Sequence, residues 1–295
     1  VKEGSALGLL PADWQGWVRE NVGRGCTAGS MHPLLVAAGF DPGVCARAID
    51  EARQAHGVDA LLPVQAGEGT RAAHVRPEPD TAGTRRTLAD GREVRVVMRM
   101  ARPCIALYES LLDAAECEAL TALAAGRLAG STVVDDTDGV PRPHAHRSSA
   151  GAWFERGQTP LVATLERRIE ELLQWPASHG EGLQVLRYEA GGEYRPHFDY
   201  FDPAKPGSAP HLAQAGQRVA TLIVYLADGV EGGGTAFPTL GLEVRPRAGS
   251  ALFFSNVDEH GNIDPATLHA GLPVVSGVKL IATKWLRARV FGAAP

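Results

Sequence analysis

A chain of 295 residues, 44% hydrophobic and 21% charged, can bury a substantial core and is too apolar to remain disordered. Its formal net charge of -5, without a lysine or arginine cluster, argues against nucleic acid as a partner, and no apolar run reaches the ~18 residues of a membrane span. Cys26, Cys45, Cys104 and Cys117 lack C-x-x-C spacing, which fits free thiols in a reducing, cytoplasmic setting.

Residues 1–65 read as a small helical module. DWQGWVREN, HPLLVAAG and DPGVCARAIDEARQAHG have helical periodicity, with Asp41 as N-cap before Pro42 and Val44, Ala48, Ile49 and Ala52 recurring on one side. Residues 66–90 are polar and broken by Gly and Pro, as in a linker, and 91–295 form a second domain. There EVRVVMRMARPCIALYES predicts two strands or a strand with a break, LLDAAECEALTALAAGRL a helix with an acidic first turn, and 130–149 a long loop with a flexible tip. TPLVATLERRIEELLQWP predicts an amphipathic helix with Leu161, Leu165, Ile169 and Leu172 on one face. From Gly182 onward, short strands separated by Gly and Pro replace helices. The expected fold is mainly β with buttressing helices: a jelly roll core plus the N-terminal helical module.

The chemistry concentrates in RYEAGGEYRPHFDYF. His197 and Asp199 are two apart in a strand-favouring run, so a period of two sends both to one face. Alone, H-x-D equally describes a surface pair on an edge strand. His269 lies far downstream in TLHAGLPVVSGVKLIATKW, with Lys279 ten residues beyond it. Two histidines and one carboxylate on one side of a metal form the facial triad of non-heme Fe(II) oxygenases. If Gly277 leaves the strand register unbroken, Lys279 shares the interior with His269, and a lysine buried in so apolar a run needs an anionic partner. The pair His144 and His146, in a Pro-rich loop, reads as solvated.

From about Pro103 to Arg289 the chain resembles the prolyl 4-hydroxylase branch of the 2-oxoglutarate and Fe(II)-dependent dioxygenases. The resemblance rests on HRSSAGAWF, LQVLRYEAGGEYRPHFDYF, GQRVATLIVYLADGVEGGGTAFP, PRAGSALFF and HAGLPVVSGVKLIATKWLR, in unbroken order. It implies a double-stranded β-helix core, Fe(II), 2-oxoglutarate as co-substrate, O2, and ascorbate as reductant. Residue by residue, His197, Asp199 and His269 match iron ligands, and Lys279 matches the partner of the distal 2-oxoglutarate carboxylate. Tyr188 and Thr235 match hydroxyl groups holding the same co-substrate; otherwise they are a core tyrosine and a strand-end threonine. Tyr194, Arg218 and Trp285 match the substrate side, although Arg218 would equally make a surface ion pair and Trp285 would equally pack in the core. Regular alternation puts Tyr194 on the strand face opposite His197 unless Pro196 breaks the pleat.

The implied reaction hydroxylates an unactivated C–H bond, of a prolyl residue in a peptide or protein, with release of succinate and carbon dioxide. The same chemistry on a free amino acid or other small molecule is an alternative, as are a non-catalytic β-sandwich binding module and a metal protein without 2-oxoglutarate. The family pattern has a histidine where this chain has Arg287, two residues past the tryptophan. Loop 130–149 and the segment from Asp202 to Gln217 are candidate lids.

Overall fold

Residues 5–23, 31–32, 35–36, 38–55, 75–143 and 147–292 are described by a computed structural model of the protein. The chain divides into two compact units, Val1–Ala73 and His74–Pro295. Cys26, His56, His74, His144 and His146 lie outside the described residues. No helix among the described residues is long and apolar enough to cross a membrane.

The first unit contains α1 (Ala12–Gly23) and α2 (Pro42–Ala55). Asp41 accepts a hydrogen bond from Val44 N at 3.0 Å, the capping geometry its position before Pro42 predicts. Cys45, Ala48, Ile49 and Ala52 are buried with Val18, Val22 and Leu35, so the apolar stripe of α2 forms this unit's core.

Residues 66–74 of the expected linker lie outside the described residues. Residues 75–90, by contrast, run along the second unit: Glu78 N donates to Leu173 O and Asp80 N to Leu172 O, at 3.1 and 2.8 Å. They also contribute a strand, β1 (Arg85–Thr87). Polarity in this stretch reflects an edge position, where one strand flank faces water.

Three α-helices follow among the described residues: α3 (Ala114–Ala125), α4 (Pro160–Leu173) and the short α5 (Ala209–Ala215). The acidic start of α3 is a capping box between Asp113 and Glu116. Thr159 caps α4, and Leu165, Ile169 and Leu172 are buried as their spacing predicts.

The strands after β1 are β2 (Glu93–Met100), β3 (Ile105–Glu109), β4 (Ala129–Gly130), β5 (Thr132–Val134), β6 (Pro141–Pro143) and β7 (Ala150–Phe154). Next come β8 (Gly180–Tyr188), β9 (Tyr194–His197), β10 (Arg218–Tyr225), β11 (Glu231–Gly232), β12 (Thr235–Phe237) and β13 (Leu242–Val244). The last are β14 (Ala251–Ser255), β15 (His269–Gly271), β16 (Val274–Ser276) and β17 (Lys279–Arg287).

Among the described residues a nine-stranded sheet has the order β1-β2-β3-β14-β10-β17-β8-β7-β4, and a four-stranded sheet the order β13-β12-β15-β9. Every strand pairing within them is antiparallel. This is the mainly β, jelly roll architecture expected. Alternation divides each central strand between two cores. Leu183, Val185, Leu222, Ala282 and Leu286 pack with the apolar faces of α3 and α4. Leu186, Tyr188, Ile223, Tyr225 and Ile281 face the other way, with Phe237 and Val244 of the smaller sheet.

Loop 130–149 contains a short hairpin, β5–β6. The segment from Asp202 to Gln217, the other candidate lid, holds α5 and a 3-10 turn at Pro206–Ser208.

Candidate active site

Between the two sheets lies a cavity lined from the larger sheet by Tyr188, Lys279, Ile281, Thr283 and Trp285 and from the smaller by Tyr194, His197, Thr235, His269 and Gly271. The odd-numbered residues of β17 supply one wall because a strand sends alternate side chains to one face.

His197 closes β9, and β9 pairs with β15 so that His197 stands directly opposite His269. Asp199 lies beyond the end of the strand, in a bend, so strand periodicity is not what aims it at the histidines. The chain turns there, and the carboxylate still converges: Oδ1 is 3.7 Å from His197 Nε2 and Oδ2 is 3.6 Å from His269 Nε2. All three donor atoms lie within 4.8 Å of one another. Each histidine Nδ1–H donates to a backbone carbonyl two residues earlier, His197 to Arg195 at 2.8 Å and His269 to Thr267 at 3.0 Å. Both Nε2 lone pairs are thereby left for the shared space, the arrangement by which proteins fix metal-binding imidazoles. Burial and the neighbouring His269 push the His197 pKa down to about 3, so this imidazole is neutral at ordinary pH. Burial alone would raise the Asp199 pKa, but His269, His197 and Arg218 outweigh it and hold the carboxyl at about 2.

Behind Asp199 stands a pair that sequence reasoning missed. Thr221 Oγ1 donates to Asp199 Oδ2 at 2.8 Å, and Asn256 Nδ2 donates to Thr221 Oγ1 at 3.1 Å. Because Asn256 supplies a donor to the hydroxyl, the hydroxyl proton is directed to the carboxylate. Thr221 and Asn256 are fully buried.

Tyr194 stacks on His197 with ring centroids 3.5 Å apart and planes 18° from parallel, so it shares the histidine's side. Regular alternation fails here because three steps on β9, from Tyr194 to His197, match two on β15, from Gly271 to His269. The additional residue is a bulge, which reverses the parity of everything beyond it.

Lys279 and His269 do not belong to one continuous strand. Between them the chain passes through β16, turns at Gly277 (φ +79°), and changes sheets. A side chain at Gly277 would also meet the Gly229 carbonyl at 2.8 Å. Lys279 reaches the cavity from the opposite sheet, directly across from Tyr188 in the β17–β8 pairing. It is 3% exposed, and burial drives its pKa down to about 8. No hydrogen bond or ion pair joins its ammonium to another described residue. Gly233 and Gly271 leave room beside it: Cβ atoms there would lie 3.3 Å from Lys279 Cδ and 3.6 Å from Nζ. The ammonium lies over the Tyr188 ring, 5.5 Å from its centroid, yet a buried ammonium without a counter-charge needs an anion, which is the demand a dicarboxylate co-substrate meets. Two imidazoles and a carboxylate, with no cysteine beside them among the described residues, likewise suit Fe(II).

The two hydroxyl residues are both buried at the cavity. Thr235 Oγ1 accepts from Tyr225 OH at 2.8 Å, which leaves the threonine proton free to donate. Burial raises the Tyr188 pKa, keeping its hydroxyl protonated.

Trp285 lines the cavity, and its buried Nε1 has no acceptor among the described residues. It stacks obliquely on half-exposed Trp153, with centroids 5.7 Å apart. Arg218 is not a lining residue. Its guanidinium sits 4.1 Å over the Trp285 ring and binds both oxygens of buried Glu181, at 2.7 and 2.9 Å, so its ion pair is internal and not on the surface. Arg147 does line the cavity and was also missed; it lies 4.9 Å over the Tyr194 ring and donates to Gln184 Oε1 at 3.0 Å. Its only sequence signal is its place in HRSSAGAWF.

Residues 183–287 match the family model described as the 2OG-Fe(II) oxygenase superfamily. Among curated relatives, the probable prolyl 4-hydroxylase 3 of Arabidopsis thaliana is 39% identical over 199 residues, covering 61% of this chain and 68% of its own length. Prolyl 4-hydroxylase 1 of the same plant is 39% identical over 202 residues, 63% of this chain and 70% of its own. Among solved structures, the viral collagen prolyl hydroxylase of Paramecium Bursaria Chlorella virus-1, in its 2OG complex, is 31% identical with a TM-score of 0.49; the match covers 62% of this chain and 95% of that one.

Proposed function

The chain belongs to the prolyl 4-hydroxylase family of 2-oxoglutarate- and Fe(II)-dependent oxygenases, and from this premise we propose that it hydroxylates a prolyl residue of a peptide or protein, with release of succinate and carbon dioxide. The observation that carries this reading is Lys279, a buried ammonium without an acidic partner facing the His197–Asp199–His269 cluster across one cavity. When bound, Fe(II) and 2-oxoglutarate supply the O2-dependent oxidation of the C–H bond.

His197, Asp199 and His269 hold the metal. Lys279 pairs with the distal carboxylate of 2-oxoglutarate, and the Tyr188 and Thr235 hydroxyls donate to the same co-substrate. The apolar walls at Leu186, Ile223 and Ile281 keep water from the reacting atoms. Tyr194 and Trp285 meet the substrate, with Arg218 holding the tryptophan ring from behind. The half-exposed Trp153 beside Trp285 extends this aromatic face outward, a surface suited to an extended proline-rich segment.

The free thiols of Cys45, Cys104 and Cys117 support a reducing, cytoplasmic setting, with ascorbate keeping the iron ferrous. Mass spectrometry of synthetic poly-L-proline incubated with enzyme, Fe(II), 2-oxoglutarate, O2 and ascorbate tests the proposal. Oxygen should appear on proline in step with succinate. Succinate release coupled only to a free amino acid, with the peptide unmodified, would replace the peptide by a small molecule.

A further inference from the structure

Arg287 occupies a position where the family pattern has histidine, and its surroundings give it a task. The side chain is 1% exposed at the end of β17. Nη1 donates at 3.0 Å to Glu181 Oε1, the carboxylate that also binds Arg218. Nε and Nη2 donate to the Gly216 carbonyl at 3.1 and 2.7 Å, and Nη2 also reaches the His211 carbonyl. Two residues on, Arg289 Nη2 donates to the carbonyls of Leu212 and Ala213, at 2.9 Å each.

Apart from Glu181, these acceptors are carbonyls of α5 or its C-cap. A helix of seven residues consists almost entirely of ends, so most of its carbonyls have no partner within it. Guanidinium groups at its C-terminus add donors to the carbonyls of His211, Leu212 and Ala213, of which Leu212 also accepts from Gly216 N at 2.9 Å, and oppose the negative end of the helix dipole. The rest of the segment is fastened at its base and tip. The Gln217 side chain exchanges hydrogen bonds of 2.7 and 2.6 Å with the Phe201 backbone. Gly207 N donates to Asp136 O and the His211 ring to Gly139 O, both at 2.9 Å, in the turn between β5 and β6. Asp199 immediately precedes this segment, so what holds α5 also holds the rim of the cavity.

Arg287 thus touches the cap of α5 on one side and, through Glu181 and Arg218, the support of Trp285 on the other. We propose that Arg287 is a positioning residue: it fixes the segment 200–217 against the wall behind Trp285, so that seating of a peptide depends on it while metal and 2-oxoglutarate binding do not. The peptide clause rests on the oxygenase reading above; the fastening of α5 does not. Arginine suits the task because its planar fork donates in several fixed directions, whereas a lysine ammonium is a single point charge.

The test compares Arg287→Met, Arg287→Lys and Arg289→Met by amide hydrogen exchange of the full chain, with Mn(II) and 2-oxoglutarate binding and the KM for poly-L-proline measured in parallel. Arg287→Met should speed exchange across 207–217 by about tenfold or more, as expected for loss of charge-assisted capping bonds. It should raise the peptide KM about fivefold or more and leave both other affinities within about twofold, because truncation misplaces a wall that only peptide meets. Arg287→Lys should keep the melting temperature, since Glu181 retains its charge partner, yet still show the faster exchange. Arg289→Met, which leaves Glu181 alone, should give a smaller rise in the same segment. Unchanged exchange in 207–217 in both methionine variants would overturn the fastening. Faster exchange with an unaltered peptide KM, or a matching loss of Mn(II) or 2-oxoglutarate affinity, would overturn the positioning role. Failure of the unaltered protein to oxidise any peptide would overturn the oxygenase reading of the substrate and leave the exchange result to decide the fastening by itself.

Discussion

Strand β17 buries two lysines, and they differ in everything except charge. Lys284 points toward the helices, where its ammonium binds Glu166 and the Glu181 carbonyl, and Gly180 makes space for its stem: a Cβ there would lie 2.5 Å from Lys284 Cε. Lys279, five positions earlier and therefore on the other face, has no acidic partner and enters the cavity. A satisfied buried charge serves the fold, because its partner offsets the desolvation of both. An unsatisfied one costs stability and is retained where something else supplies the counter-charge. The difference separates scaffold from site within one strand.

The comparison breaks most visibly at Lys284. Lys284→Met strands the buried Glu166 carboxylate and should cost about 3 to 5 kcal/mol, seen as a large drop in denaturation midpoint. 2-Oxoglutarate affinity should be preserved in whatever fraction remains folded.

Lys279→Met should do the reverse. Removing an unpartnered charge leaves the melting temperature equal or higher, while 2-oxoglutarate binding weakens by about 1.5 to 3 kcal/mol, the worth of a charge-assisted hydrogen bond. Calorimetric titration with Mn(II) already bound reads both. Equal loss of stability in the two variants would erase the distinction between them.

Thr221→Val sharpens it from the metal side. Loss of the hydroxyl that directs Asp199 should weaken Mn(II) binding roughly tenfold to hundredfold, and Thr221→Ser should restore it. Asn256→Leu should add little in the Thr221→Val background, because Asn256 reaches Asp199 only through that hydroxyl.

The smallest effect is with pH. Lys279 titrates at about 8 in the fold against an ordinary 10.5, so its ammonium is intact below that range and is lost as pH rises through it. Between pH 7 and 8 the affinity for 2-oxoglutarate should fall by about twofold, and more steeply above, with Lys279→Arg abolishing the trend. For stability the sign is opposite: from about 8 to 10.5 the unfolded chain holds a proton that the folded chain has released, so stability from this group rises with pH. A flat binding profile in the unaltered protein would show that the ammonium is not what recognises the co-substrate.

Sequence by itself determined α1 to α4, the run of short strands and the order of the chemistry-bearing motifs, because caps and hydrophobic periodicity act over a few residues. The stripe Leu165, Ile169, Leu172 and the cap at Asp41 folded as their spacing required. Tertiary structure decided what depends on two strands meeting. The bulge in β9 that turns Tyr194 onto His197 exists only in the pairing with β15. Lys279 faces the His197–Asp199–His269 cluster because the chain changes sheets at Gly277, and parity along one strand had nothing to do with it. Thr221, Asn256, Glu181 and Arg147 are ordinary letters in strands and loops until burial leaves each polar atom a short choice of partners. That choice is made between residues 22 to 37 positions apart, and no local pattern encodes it.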